Sequence, residues 1–236
     1  MLVPTMNIPE IISQVKRDYE KIVHSTIIRL GNEYDRERQK LKIDKKRTYS
    51  RVYNIKTAAK NNWMIVIGKK PSSEYYKSPG ESLTYDPFAY YYDHSGLKVL
   101  KWSNPILQMF TAHFFQRYNE RLNLGFNTPV ETIKHFIRHN CFVSYQFLME
   151  KGIFYSVGFA KEGLLLGNLQ ADNWMLWRTF VSGDLIHPKQ SEMKQQLIRK
   201  LDEKWIKMMK ENKIDTPLGW NTFSQLEMLR GNYNPL

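Results

Sequence analysis

A single cysteine, Cys141, is the only thiol in a chain of 236 residues. That excludes an intramolecular disulfide framework and any cysteine-rich zinc module. Flanked by Phe142 and Val143, with no activating base adjoining, it reads as a buried and inert thiol. Long apolar runs are also missing. The longest clean one, Trp63 to Ile67, falls far short of the roughly 20 residues a membrane helix needs, so no membrane partner is expected. Residues 1–7 lack the basic and apolar regions of a signal peptide, and a soluble, cytoplasmic protein is the expectation. No glycine-rich phosphate loop occurs, nor a regular strand–helix–strand alternation, which argues against nucleotide-dependent enzymes built on those devices. No cofactor and no bound metal are expected. Repeats of solenoid length are absent too. What remains is globular composition, 42% hydrophobic and 25% charged, in a chain long enough to bury a core without staples.

Acidic residues are few beside basic ones, 23 against 35, for a net charge of +12. The excess is uneven. Between Arg36 and Lys60, ten basic residues (Arg36, Arg38, Lys40, Lys42, Lys45, Lys46, Arg47, Arg51, Lys56 and Lys60) face only Glu37 and Asp44. A local field of that sign draws in phosphate backbones and makes binding salt-sensitive. Tyr49 and Tyr53 interleave with Arg47 and Arg51 and supply stacking surfaces beside the cations. Arg36, Arg38, Lys45, Lys46, Arg47 and Arg51 are therefore the candidate contacts to RNA or another polyanion. The same stretch also describes a solvated helix end and loop that serves solubility.

Patterning predicts an α+β fold: an N-terminal amphipathic helix, mainly antiparallel strands in two groups around a central helix pair, and a C-terminal helix. Ile8, Ile11, Ile12, Val15, Tyr19, Ile22, Val23, Thr26 and Ile27 form one apolar stripe, opened by an Asn7/Glu10 capping box. Gly31-Asn32 is a candidate stop, with continuation through 33–38 the alternative. Strands are expected at 48–56, 63–68, 88–92 and 97–102, with a Ser-, Pro- and Tyr-rich loop over 71–87. Helices follow at about 106–123 and 129–140, the second opened by Thr128-Pro129-Val130-Glu131. A three-stranded meander covers 154–181. A basic helix over 189–212 carries Met193, Leu197, Leu201, Trp205 and Met208, and a short helical stretch spans 223–229. The whole reads as one α+β domain, with a helical segment over 1–46, a core over 47–187 and a second helical segment over 188–236.

His113, Arg117 and Arg121 recur every four residues on the first central helix. At about 100° per residue they span an arc of about 80° at the border of the buried stripe, with Glu120 beside His113. A histidine exchanges protons at neutral pH, and guanidinium groups grip phosphate oxygens bidentately. Together they suit phosphodiester chemistry. The same spacing also describes a solvent face that happens to hold these residues. On the second helix, Glu131, His135 and His139 share a face that can offer two imidazoles and a carboxylate to zinc, but without a fourth ligand at a persuasive distance a solvated face is expected. His94 and His187 read as surface residues. The tryptophans, Trp174 and Trp177 among them, read as core.

The segment from His113 through Arg117 and Arg121 to Thr128-Pro129-Val130-Glu131 resembles the helix pair of toxin-like domains in the metal-independent ribonuclease superfold, which includes barnase, colicin tRNases, EndoU and RelE-type toxins. The resemblance spans about residues 106–181. It implies helices preceding a compact antiparallel sheet and metal-free RNA cleavage by attack of the 2′-hydroxyl on the adjacent phosphate. It further implies His113 as acid or base, Arg117 and Arg121 as phosphate clamps, Thr179 as a hydrogen-bonding partner, and a neutralising protein partner. Two other readings stay open: a non-catalytic nucleic-acid-binding module, and a structural or partner-binding protein that docks through the aromatic stretch 75–92.

Overall fold

Strand β2 (Asn62–Lys70) explains the architecture, because its apolar run is covered on both faces. Trp63, Ile65 and Ile67 point into one hydrophobic cluster while Met64 and Val66 point into another. The sheet must therefore be sandwiched between two helical layers. In the computed structural model the described residues are 1–43, 49–70, 82–103, 105–140, 144–150, 153–171 and 173–186, together with seven helical residues between Glu192 and Lys207.

One layer is the N-terminal helix. It runs as α1 (Ile8–Lys21), a π-helical turn (Ile22–Thr26) and α2 (Ile27–Lys40), opened by the expected reciprocal Asn7/Glu10 cap. The Gly31-Asn32 pair does not stop it. The π turn has a packing reason: Ile22 and Ile27 are five residues apart and both are buried, a spacing that an unbroken α-helix would rotate out of line. Asp18 is buried on the same face. Its Oδ2 accepts from Asn61 Nδ2 at 2.6 Å and Thr57 Oγ1 at 3.0 Å, and its Oδ1 accepts from Gln14 Nε2 at 3.0 Å. These bonds tie α1 to the hairpin between β1 (Tyr49–Lys56) and β2.

Among the described residues the strands form one nine-membered sheet in the order β1-β2-β3-β4-β5-β9-β8-β7-β6. The remaining strands are β3 (Ser82–Asp93), β4 (Gly96–Ser103), β5 (Ile106–Phe110), β6 (Ser144–Glu150), β7 (Ile153–Ala160), β8 (Gly163–Ala171) and β9 (Trp174–Ser182). Every neighbouring pair is antiparallel except β5 and β9, which run parallel and join the two groups. The α+β class and the two antiparallel groups are as the patterning predicts.

Three expectations are corrected. Residues 106–110 are strand, not the start of a helix. Their apolar run fits either state, and pairing with β4 and β9 decides it. The helix begins only at Ala112, where Thr111 Oγ1 accepts from Phe114 N at 3.1 Å. The meander has four strands, because β6 precedes it. Residues 82–87 belong to β3 rather than to a loop.

The second layer is α3 (Ala112–Arg121) and α4 (Pro129–His139), which cross from β5 to the second strand group. Phe114 and Phe136 sit edge-to-face at 5.2 Å, and both pack on Phe110. Each buried aromatic ring here contributes about 1.5–3 kcal/mol. Farther along, Glu192, Gln195, Gln196, Arg199, Lys200, Glu203 and Lys207 are helical, within the expected C-terminal helix. The apolar residues predicted for that helix, and the stretch 223–229, lie outside the described residues. Among the described residues no helix is long and apolar enough to cross a membrane.

Candidate functional site

The polar trio of α3 does not converge. His113 is exposed. Arg117 Nη1 is held by Glu120 Oε2 at 2.9 Å, one turn along the helix. Arg121 turns the other way and donates to the backbone carbonyl of Phe180 on β9. Thr179 is also elsewhere. Phe180 packs into the cluster beneath α3 and α4, so by strand alternation its neighbour Thr179 faces the opposite side of the sheet. A single pocket of His113, Arg117, Arg121 and Thr179 is thus not formed.

The basic stretch is altered as well. Arg38 is buried, and Arg51 is ion-paired to Glu37 with its guanidinium 5.2 Å from the Tyr53 ring centre. Arg36 remains exposed. Lys45, Lys46 and Arg47 lie outside the described residues, as does Cys141.

A different constellation assembles where α3, α4 and the β7–β8 turn meet. Tyr118 sits on the inward side of α3, its ring wedged against Phe136 at 5.2 Å and Phe180 at 4.9 Å. This aromatic cage fixes the hydroxyl at the edge of the core. Asn140 caps the end of α4 and is buried, its backbone N–H donating to Phe136 O at 2.8 Å. Glu162 in the tight β7–β8 turn is placed by Asn140, whose Oδ1 accepts from the Glu162 backbone N–H at 3.2 Å.

These groups form a closed network. Tyr118 Oη donates to Glu162 Oε2, and Asn140 Nδ2 donates to the same carboxylate oxygen at 2.7 Å and approaches Tyr118 Oη at 3.3 Å. His135 Nδ1 lies 2.8 Å from Tyr118 Oη, and His139 Nδ1 lies 3.4 Å from Glu162 Oε1. The two imidazoles stack, ring centres 4.0 Å apart and planes within 12° of parallel. Phe126 flanks His135 at 5.5 Å.

Proton positions follow from counting donors. The phenol has one proton, and it goes to the carboxylate. The bond to His135 must then run from Nδ1–H to the phenolic oxygen. His139 likewise turns Nδ1–H toward Glu162. Both rings are anchored through Nδ1, so in each neutral imidazole Nε2 carries the lone pair.

The electrostatics match that assignment. Burial would raise the Glu162 carboxyl, but hydrogen bonds from His139, Tyr118 and Asn140 outweigh it and hold it down at about 2. Burial, followed by the Glu162 charge, pushes the Tyr118 phenol well above its usual range, so it stays a proton donor. Burial and then neighbouring His139 push His135 down, against the opposing pull of Glu162, and favour a neutral ring. The two histidines and Glu162 are half-buried, with donor atoms within 4.8 Å of one another, a set able to hold a metal ion.

Sequence reading found His135 and His139 but paired them with Glu131. In the fold Glu131 is exposed and engaged with Thr128 at the start of α4, with Thr128 Oγ1 donating to its carboxylate at 2.7 Å. Glu162 takes its place from another part of the chain. Tyr118 reads only as core in sequence, yet it both fills the core and polarises the site. The chain matches no family model, no curated protein and no solved structure.

Proposed function

We propose that this protein cleaves RNA without a metal, with His135 and His139 as its acid–base pair. The observation that carries this reading is the stacking of two half-buried imidazoles, ring centres 4.0 Å apart, each anchored through Nδ1, which leaves the Nε2 of each ring outside that network to exchange protons with a substrate. In the proposed reaction His135 Nε2 removes the proton from a ribose 2′-hydroxyl. The oxygen attacks the adjacent phosphorus, the P–O5′ bond breaks, and His139 in its protonated form delivers a proton to the departing 5′-oxygen. The products are a 2′,3′-cyclic phosphate and a free 5′-hydroxyl. Tyr118, Asn140 and Glu162 act as positioning residues. Glu162 also offsets the charge on His139 whenever that ring is protonated.

The electropositive stretch 36–60 supports a polyanionic substrate. The strand within that stretch, β1, packs against α4, and Arg138 lies close enough to His135 to disfavour a charge on it. A neutralising protein partner belongs with the toxin-like reading. The test is incubation with total RNA in chelator, with cyclic phosphate ends as the readout. Loss of those ends in His135→Ala supports the reading, and intact RNA at high protein concentration overturns it.

The second reading, a non-catalytic nucleic-acid-binding module, rests on the charge excess alone. It predicts salt-dependent retention of RNA that is unchanged in His135→Ala and weakened by charge reversal within 36–60.

A further inference from the structure

We infer that Phe126 is a stacking platform for one base of single-stranded RNA, held beside His135 by the loop between α3 and α4. The inference rests on the RNA-directed reading above and deepens it to a substrate class, RNA with an unpaired base at the site. Three observations carry it. The first is how the loop distributes its apolar residues. Leu122, Leu124 and Val130 pack against the buried cluster that α3 and α4 share with the sheet, but Phe126 belongs to neither core cluster. It stays half-buried between exposed Gly125 and Asn127, its ring centre 5.5 Å from that of His135 and the two planes tilted by 55°. An aromatic ring that the core does not use, kept at the edge of a polar site, suits an unstacked base.

The second observation is how firmly the ring is placed. Asn123 and Gly125 both take left-handed backbone, φ 51° and 67°, a conformation that asparagine and glycine adopt most readily. Asn119 then holds the loop through three hydrogen bonds. Its backbone carbonyl accepts from the Leu124 N–H at 3.1 Å, its Oδ1 accepts from the Phe126 N–H at 3.2 Å, and its Nδ2 donates to the Phe126 carbonyl at 2.9 Å. The side-chain amide thus pairs with Phe126 as a neighbouring strand would. A ring fixed before binding loses little freedom when a base settles on it.

The third observation is the neighbour. Asn119 adjoins Tyr118, the residue that anchors His135 through Nδ1, so one turn of α3 fixes both the imidazole and the ring beside it. In a ribonucleotide the base and the 2′-hydroxyl hang on the same sugar, and a base stacked on Phe126 therefore brings its own ribose beside His135. A duplex cannot do this, because its bases are already stacked and paired. Stacking uses the π-face that every base has, so the platform selects an unpaired base rather than a sequence.

The probe is a short single-stranded 2′-O-methyl pyrimidine oligonucleotide with 2-aminopurine placed at each position in turn. It cannot be cleaved by 2′-hydroxyl attack, and 2-aminopurine loses fluorescence when it stacks. Full-length wild type at low salt should bind it and quench it. Phe126→Leu keeps the apolar bulk and removes the ring; it should weaken binding about 5- to 150-fold, the range for one stacked base. Phe126→Tyr should restore both binding and quenching. Asn119→Ala, checked for native circular dichroism, should lower the quenching reached at saturation, a change in ring placement that a general loss of stability does not produce. A duplex of the same sequence should compete poorly. No binding by the wild type, binding without quenching at any position, or equal binding by Phe126→Leu would each overturn the platform. Uncleaved total RNA together with Phe126-dependent quenching would sustain the platform on a protein that only binds. Cyclic phosphate ends together with unchanged binding by Phe126→Leu would remove the platform and keep the cleavage.

Discussion

Tyr118 Oη, on α3, donates its single proton to Glu162 in the β7–β8 turn and receives one from His135 on α4, 2.8 Å away. One phenol thereby joins two helices to the sheet and decides which nitrogen of His135 is left free. Tyr118→Phe keeps the packing and removes only the oxygen. We expect it to cost about 1–3 kcal/mol in urea unfolding, because Glu162 loses a donor and His135 Nδ1–H loses its acceptor. A purely structural role would stop there. A positioning role also moves the pH profile of any activity, since His135 is released from its tautomer.

Glu162 links pH to stability. Its carboxyl titrates at about 2 in the fold against an ordinary value of 4.5. A depressed folded value means that the unfolded chain binds the proton more readily. The contribution is therefore complete above pH 4.5 and is lost as pH falls toward 2. Thermal unfolding of wild type and Glu162→Gln, both in chelator, should differ most above pH 4.5 and converge near pH 2. A difference independent of pH would show that the charge of Glu162 contributes nothing.

Asp18 plays the corresponding structural part on the other face of the sheet. Its carboxylate gathers Gln14 from its own helix and Thr57 and Asn61 from the β1–β2 hairpin, with Trp63 Nε1 at 3.4 Å. Asp18→Ala leaves several buried donors without an acceptor. A loss of about 3 kcal/mol is expected, read as a lower urea midpoint with an unchanged slope.

Much of this fold is written in local pattern. The Asn7/Glu10 box, the Thr128 cap and the alternation in β1 each depend on residues within a few positions of one another. Residues 106–110 were harder, since Ile106-Leu107-Gln108-Met109-Phe110 has no decisive period. The informative signals there were Pro105 before the run and Thr111 after it, a break and a helix cap. The site was legible only in half. His135 and His139 announce themselves by their four-residue spacing. Glu162 lies 23 positions beyond His139 in a turn, and no spacing rule connects a turn carboxylate to a helix it meets only after folding. Tyr118 was hidden for a different reason: an apolar stripe shows where its ring goes, not what its hydroxyl touches. The His113 trio misled because shared helical phase says nothing of neighbours. Glu120 and the Phe180 carbonyl, both within reach, took the two guanidiniums.

The most direct test of the account compares His135→Ala with His113→Ala on total RNA in chelator, each checked for native circular dichroism. An active centre at the stacked histidines predicts 2′,3′-cyclic phosphate ends from wild type and from His113→Ala, and at least about a 100-fold loss in His135→Ala, the contribution expected of one acid–base group. Full activity in His135→Ala, or activity lost only in His113→Ala, would contradict it.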